Sequence, residues 1–300
     1  MSARQGVLAM AYGTPAGLDD VESYYTHIRR GRPPTPELLD ELLGRYRAIG
    51  GRSPLLEITR AQCAGISERL QIPVYLGMKH APPRIEDAVA QMTHDRIERA
   101  AGLVLAPHYS SMSVGDYRKR AEVAASDAGW KGKLVMIENW HLEPGYTDFL
   151  ARAVGHALDS LPGPEVVVVF TAHSLPARVV EMGDPYADQL TETAVAVAAR
   201  AGLARWRTAW QSAGRTESRW LGPDISDVIR DLAAQGVSGV VVCPCGFVAD
   251  HLEVLYDVDV ECRRVAREVG VELARTASPN DDPGFLDALA AVVARSLDSG

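Results

Sequence analysis

The chain has 300 residues, 47% of them hydrophobic and 23% charged, with a net charge of −8. That length suits one large α/β domain or two moderate ones, and the acidic excess argues against a nucleic-acid partner. No apolar run approaches the ~18–20 residues of a membrane span, and Met1 to Gly6 lacks the pattern of a secretory leader, which places the chain in the cytoplasm.

The first predicted element is a buried strand over 7–12, ending at Gly13-Thr14-Pro15. A helix over 19–29 follows. Pro33, Pro34 and Pro36 break the chain, and Pro36 suits the first turn of a helix over 37–49, which Gly50-Gly51 stops. Next come a helix over 55–70, a strand over 74–78 and a helix over 85–92. A strand over 102–106 runs into Pro107-His108, followed by a helix over 113–128, a strand over 133–137 and a helix over 145–158. Leu161-Pro162-Gly163-Pro164 reads as a linker. The order then restarts. A strand over 166–171 leads into Ala172-His173-Ser174, then a helix over 186–201, a strand over 205–211, a helix over 225–235 and a strand over 239–243. A long helix falls within 249–269, and a helix over 285–297 closes the chain.

Strands that alternate with helices argue for parallel sheets covered on both faces. The two halves also match in outline. Each opens on an apolar strand whose end carries a polar ring, Tyr12 or His173, and each later has an apolar strand running into proline, at Ala106-Pro107 and Cys243-Pro244. The expected fold is α/β: two similar doubly wound, Rossmann-like lobes with a cleft between them. The lobes span 1–162 and 163–300, with the last helix packing back on the first. Ligands of such sheets lie beyond the carboxyl ends of the strands.

Three groups of residues could carry chemistry. His173 follows an apolar run from Val166 to Phe170 and sits at a strand end; a neutral imidazole accepts protons near pH 7 and ligates Fe2+. A histidine met singly is ordinarily structural, and the strand end is what singles this one out. Glu253, Asp257 and Glu261 are spaced i, i+4, i+8, one carboxylate stripe on a helix, which is unfavourable unless a cation sits among them. A local π-turn would align them more closely. Arg29, Arg30, Arg32, Arg45, Arg47 and Arg52 crowd one stretch of an acidic protein and suit a small polyanion, since guanidinium forks match carboxylates. The four cysteines, Cys63, Cys243, Cys245 and Cys262, are read as buried thiols. No dinucleotide fingerprint, P-loop, nucleophile elbow or zinc-ligand spacing occurs.

The sequence also resembles the ferrochelatases along nearly its whole length. The likeness rests on Ala11-Tyr12-Gly13-Thr14-Pro15, Tyr24-Tyr25-Thr26-His27-Ile28-Arg29-Arg30-Gly31 and Tyr46-Arg47-Ala48-Ile49-Gly50-Gly51-Arg52-Ser53-Pro54-Leu55. It rests further on Thr171-Ala172-His173-Ser174-Leu175-Pro176 and Gly246-Phe247-Val248-Ala249-Asp250-His251-Leu252-Glu253. The resemblance implies Fe2+ insertion into a porphyrin, with iron as substrate. His173 and Glu253 would be the metal and proton pair on one face of the ring and Tyr12 the residue on the other. Arg29, Arg45, Tyr46, Ser53 and Tyr117 would hold the macrocycle, and Asp257 and Glu261 would form an outer metal site.

Tyr12, where protoporphyrin-type relatives tend to carry Met, points to coproporphyrin III, as do the arginines that suit its four propionates. One group of relatives holds a [2Fe–2S] cluster through a Cys near the position of Ser111 and a C-terminal Cys group. This sequence has neither, so no cofactor is expected; a cluster on Cys243, Cys245 and Cys262 stays open. Other readings are a protoporphyrin IX ferrochelatase, a sirohydrochlorin chelatase, or a non-enzymatic porphyrin or haem carrier. The expected protein is a monomer that touches neighbouring haem-pathway enzymes transiently.

Overall fold

Runs of β-branched residues seed the central strands. Val167, Val168, Val169 and Phe170 lie in strand β5 (Val166–His173), and Val240, Val241 and Val242 in β7 (Gly239–Cys243). All are buried on both faces, which a strand covered by helices on two sides requires. Burying each such side chain contributes about 1.5–3 kcal/mol. The computed structural model describes residues 3–299 except 162, 164, 215 and 217. Pro162 and Pro164 of the predicted linker therefore lie outside the described residues.

The first sheet contains β1 (Gln5–Ala11), β2 (Val74–Met78), β3 (Arg99–Val104) and β4 (Lys133–Met136), in the order β2-β1-β3-β4. The second contains β5, β6 (Trp206–Gln211), β7 and β8 (Glu272–Arg275), in the order β6-β5-β7-β8. Every pairing is parallel. The same order in both sheets makes the halves topological repeats. In each sheet the first strand in sequence is central, and its C-terminal end opens onto the crevice where the strand order reverses.

The helices are α1 (Val21–Ile28), α2 (Pro36–Ala48), α3 (Leu55–Leu70), α4 (Ile85–His94), α5 (Val114–Asp127) and α6 (Pro144–Asp159) in the first half. The second half has α7 (Arg178–Glu181), α8 (Tyr186–Ala201), α9 (Ile225–Ala234), α10 (Leu252–Leu255), α11 (Arg263–Val269) and α12 (Pro283–Asp298). Two of these exchange sheets. α6 packs on α8, β7 and β8 of the second sheet, while α12 crosses to α3, β3 and β4 of the first. Tyr146 of α6 and Phe285 of α12 meet with ring centroids 6.0 Å apart, in a core that also holds Val7, Leu103, Val168 and Phe170 from both sheets. α6 thus precedes the predicted linker in sequence yet packs on the second sheet.

Several predicted bounds move. β3 begins at Arg99 and stops at Val104, so Leu105 to His108 leave the sheet as a loop. β5 runs two residues further than the predicted strand, to His173. The long helix within 249–269 is three pieces: α10, a π-helix over Asp257–Cys262, and α11. α7 and β8 have no predicted counterpart.

Candidate active site

The loops at the carboxyl ends of both sheets enclose a cavity of about 420 Å³, a volume typical of small-molecule sites. On the second-lobe side, the last residue of β5 is His173, and β7 leads through Pro244 and Cys245 to Gly246. A β-carbon on Gly246 would stand 2.5 Å from the Ala172 β-carbon, so only glycine lets this loop lie against β5. That approach brings α10, and Glu253 with it, beside His173.

His173 Nε2 and Glu253 Oε1 are 3.6 Å apart, each side chain about one-third exposed. His173 Nδ1 donates to the Ser174 carbonyl, which leaves Nε2 as the lone-pair nitrogen of the neutral ring. Burial alone would depress this imidazole. The Glu253 carboxylate and the Ser174 carbonyl outweigh it and raise the pKa from 6.5 to about 9. Burial would likewise raise Glu253, but His173 and His251 hold it well below the usual carboxylate range; His251 Nε2 lies 3.4 Å from Oε2. The pair is therefore an imidazolium and a carboxylate at neutral pH. Gln211, at the end of β6, anchors Glu253 from behind: its Nε2 donates to the Glu253 carbonyl at 2.9 Å, and its Oε1 accepts from Thr171 at 2.7 Å.

The first lobe supplies the facing wall. Tyr12 follows β1 and precedes Gly13, where φ is +95° and a β-carbon would stand 3.0 Å from Ala81; both demand glycine. Tyr24 fixes this turn by donating to the Gly13 carbonyl at 2.8 Å. Tyr12 turns 43% of its surface to the open cleft, yet the surrounding protein and the charge of Glu253 raise its phenol above the ordinary value. It is a neutral hydroxyl at physiological pH. Tyr46, Ser53 and Tyr117 line the same cavity, with Tyr46 pushed up to about 12 by burial. Lys79, which the sequence does not single out, is the one Lys or Arg among the described lining residues. Its ammonium pairs with Asp116 and lies 5.2 Å from the Tyr117 ring centroid.

The arginines lie elsewhere. Arg29 is exposed at the end of α1 and donates to the Arg32 carbonyl, although its neighbour Ile28 lines the cavity. Arg45 bonds Glu41 at 2.9 Å, lies 3.9 Å from Asp257 and covers the Tyr256 ring at 5.2 Å. It stands beside the carboxylate stripe rather than on the cavity wall.

Along the stripe, Asp257 is 7% exposed, and burial raises its pKa from 3.8 to about 7 against the hydroxyl of Ser212 and the charge of Arg45. Ser212 donates to Asp257 from a left-handed backbone, φ 60°. Arg275 of β8 ties the region together, bonding Asp250 at 3.1 Å and Asp259 on the π-helix at 3.0 Å. Among the described residues, no three His, Cys, Asp or Glu side chains converge as a preformed metal cage.

The Cys243 and Cys245 thiols meet, but Cys262 does not join them. Cys243 and Cys245 are buried in the core shared by both sheets, while Cys262 is buried in a separate cluster with Val240 and Val265. Burial raises the Cys245 and Cys262 thiols well above their ordinary value.

A family model described as Ferrochelatase matches residues 4–297. The chain belongs to the ferrochelatase family. Curated relatives include the coproporphyrin III ferrochelatase of Bacillus pumilus, 47% identical, with 98% of each chain covered. That of Geobacillus kaustophilus is 47% identical, covering 96% of this chain and 94% of the relative, and that of Bacillus subtilis is 46% identical, with 98% of each covered. The ferrochelatase fold extends to solved chelatases. The sirohydrochlorin chelatase SirB from Bacillus subtilis subspecies spizizenii, solved with cobalt, superposes with a TM-score of 0.62 at 12% identity, covering 99% of this chain and 96% of SirB. CbiX, the terminal enzyme of sirohaem synthesis in denitrifying bacteria, gives 0.57 at 14%, covering 97% and 99%. At those identities the shared property is the fold.

Proposed function

We propose that this chain inserts Fe2+ into coproporphyrin III, giving Fe-coproporphyrin III and two protons, in haem biosynthesis. The observation that carries the proposal is one cavity with an imidazole–carboxylate pair on one wall and a phenol on the other. Full-length relatives of that name support the substrate.

Metallation must strip water from Fe2+ and remove two pyrrole protons. His173 Nε2, once its proton leaves, offers a lone pair to the metal or to a pyrrole N–H, and Glu253 receives or holds the cation beside it. Tyr12 stands on the far side as a neutral oxygen ligand for the metal. Tyr46, Ser53 and Tyr117 orient the macrocycle, Lys79 offers a charge to a propionate, and Arg29 meets a second at the rim. Binding energy at those remote groups can offset distortion of the ring, which exposes the nitrogen lone pairs. Asp257 and Glu261, with Arg45 as counter-charge, lie along the metal's route inward. Iron here is a substrate, and the proposal includes no resident cofactor.

The protein would act in the cytoplasm as a monomer, meeting neighbouring haem-pathway enzymes transiently. No helix among the described residues is long and apolar enough to cross a membrane. The test is an anaerobic insertion assay with Fe2+, comparing coproporphyrin III with protoporphyrin IX. Faster turnover of coproporphyrin is expected. A preference for protoporphyrin, or binding of coproporphyrin without turnover, would overturn the assignment.

A further inference from the structure

One carboxylate at the seam between the lobes gathers three donors from the other side. Asp184 lies between α7 and α8 in the second lobe. Its Oδ2 accepts from the Ser111 amide at 2.7 Å, the Ser111 hydroxyl at 2.8 Å and the Ser110 hydroxyl at 3.1 Å. Both serines belong to the loop that leaves β3 in the first lobe. Two neighbouring contacts extend the seam: the Tyr109 amide donates to Gln189 Oε1 at 2.7 Å, and His108 Nε2 lies 2.9 Å from the Thr193 hydroxyl. Hydrogen bonds to an ionised acceptor are the stronger kind.

The other face of Asp184 leads to His173. Asp184 Oδ1 accepts from the Tyr186 amide at 3.2 Å, and Tyr186 Oη donates to the His173 carbonyl at 3.0 Å. The Tyr186 ring is held between Trp210 and His108, with centroids 5.5 and 6.1 Å away. Because His173 Nδ1 is held by the next carbonyl, the main chain at 173–174 sets the imidazole orientation. A first-lobe loop thus reaches the backbone of His173 through two second-lobe residues. The same loop lines the cavity through His108, Met112 and Ser113.

We propose that Asp184 and Tyr186 are positioning residues that couple docking of the first-lobe loop 108–113 to the placement of His173. The proposal rests on His173 being the metal- and proton-handling group. Macrocycle contact with the loop then reaches the reacting nitrogen through a short, fixed chain of bonds. A displacement of about 1 Å at a reacting group costs on the order of 100-fold in rate, so loosening either link lowers kcat by more than it weakens porphyrin affinity.

The test uses the full chain with Asp184→Asn, Asp184→Glu, Tyr186→Phe and the double variant Asp184→Asn/Tyr186→Phe. Three quantities are measured: anaerobic Fe2+ insertion, coproporphyrin affinity by fluorescence, and the His173 imidazole resonance in the ligand-free protein. Asp184→Asn and Tyr186→Phe are each expected to lower kcat at least about tenfold, with a smaller change in the porphyrin Kd and the His173 resonance moved. The double variant should be no worse than the poorer single one, because both break the same chain. Asp184→Glu should recover part of kcat. Losses that multiply in the double variant, or an unmoved His173 resonance in Tyr186→Phe, would overturn the coupling. Insertion by the unaltered chain is the control for the functional reading: if that fails while the resonance moves, the coupling stands and the activity assignment falls.

Discussion

His173 keeps its proton at neutral pH because the Glu253 charge outweighs the cost of burying an imidazolium. Fe2+ can use Nε2 only by displacing that proton, so apparent iron affinity should improve as pH rises toward about 9. Measured anaerobically between about pH 6.5 and 8.5, the KM for Fe2+ should fall by up to about tenfold per unit; a flat profile would show that the proton and the metal do not compete. For folding the sign is opposite. A pKa raised from 6.5 to about 9 contributes stability that is full below 6.5 and is lost as pH rises through 9. Asp257 follows the same rule lower down, its stabilising proton leaving between about 3.8 and 7. Asp257→Asn should therefore raise the unfolding midpoint by about 2–4 °C at pH 8, change little at pH 4, and weaken iron uptake. An unchanged midpoint at pH 8 would argue that Asp257 is not strained by burial. At this scale His173 is legible in the sequence as a polar ring at the end of an apolar strand, and Glu253 as the first of three evenly spaced carboxylates. Lys79 follows β2 just as closely, but a single lysine past a strand end looks like ordinary surface charge. Gln211 and Ser212 are not legible, because a polar residue closing a strand does not reveal which neighbour it will bond.

Glu253 reaches His173 because the turn after β7 lies directly on β5. Gly246→Ala would drive its β-carbon into the backbone of Ala172, 2.7 Å from its α-carbon. The expected loss is about 1–3 kcal/mol, read as a lower denaturation midpoint, with iron insertion falling further than stability alone explains. Partial recovery in Gly246→Ala/Ala172→Gly would confirm the contact; full stability in the single variant would refute it. The carboxylate spacing signals in the sequence that the helix around Asp257 is unusual, and a π-helix is what forms there. β8 is invisible in the sequence for a plain reason. Only Leu273 and Ala274 in its four residues are apolar, too few to show a period. It nevertheless supplies Arg275, which holds both Asp250 and Asp259.

Across the whole molecule, the repeated strand order follows from the alternation of strands and helices, and is legible in outline. Of the exchange of helices between sheets, the return of α12 to the first lobe is the expected half; the crossing of α6 is not legible, since an apolar helix face does not specify which of two similar sheets it covers. That exchange joins the lobes in one core and leaves the cleft at the strand ends as the place where both can act on one ligand. The central claim is that the second lobe delivers the metal to a macrocycle the first lobe holds. His173→Ala separates the two roles. Titrated with coproporphyrin III and then supplied anaerobically with Fe2+, this variant should bind the porphyrin with nearly the affinity of the unaltered chain and fail to metallate it. Metallation at the unaltered rate would contradict the account.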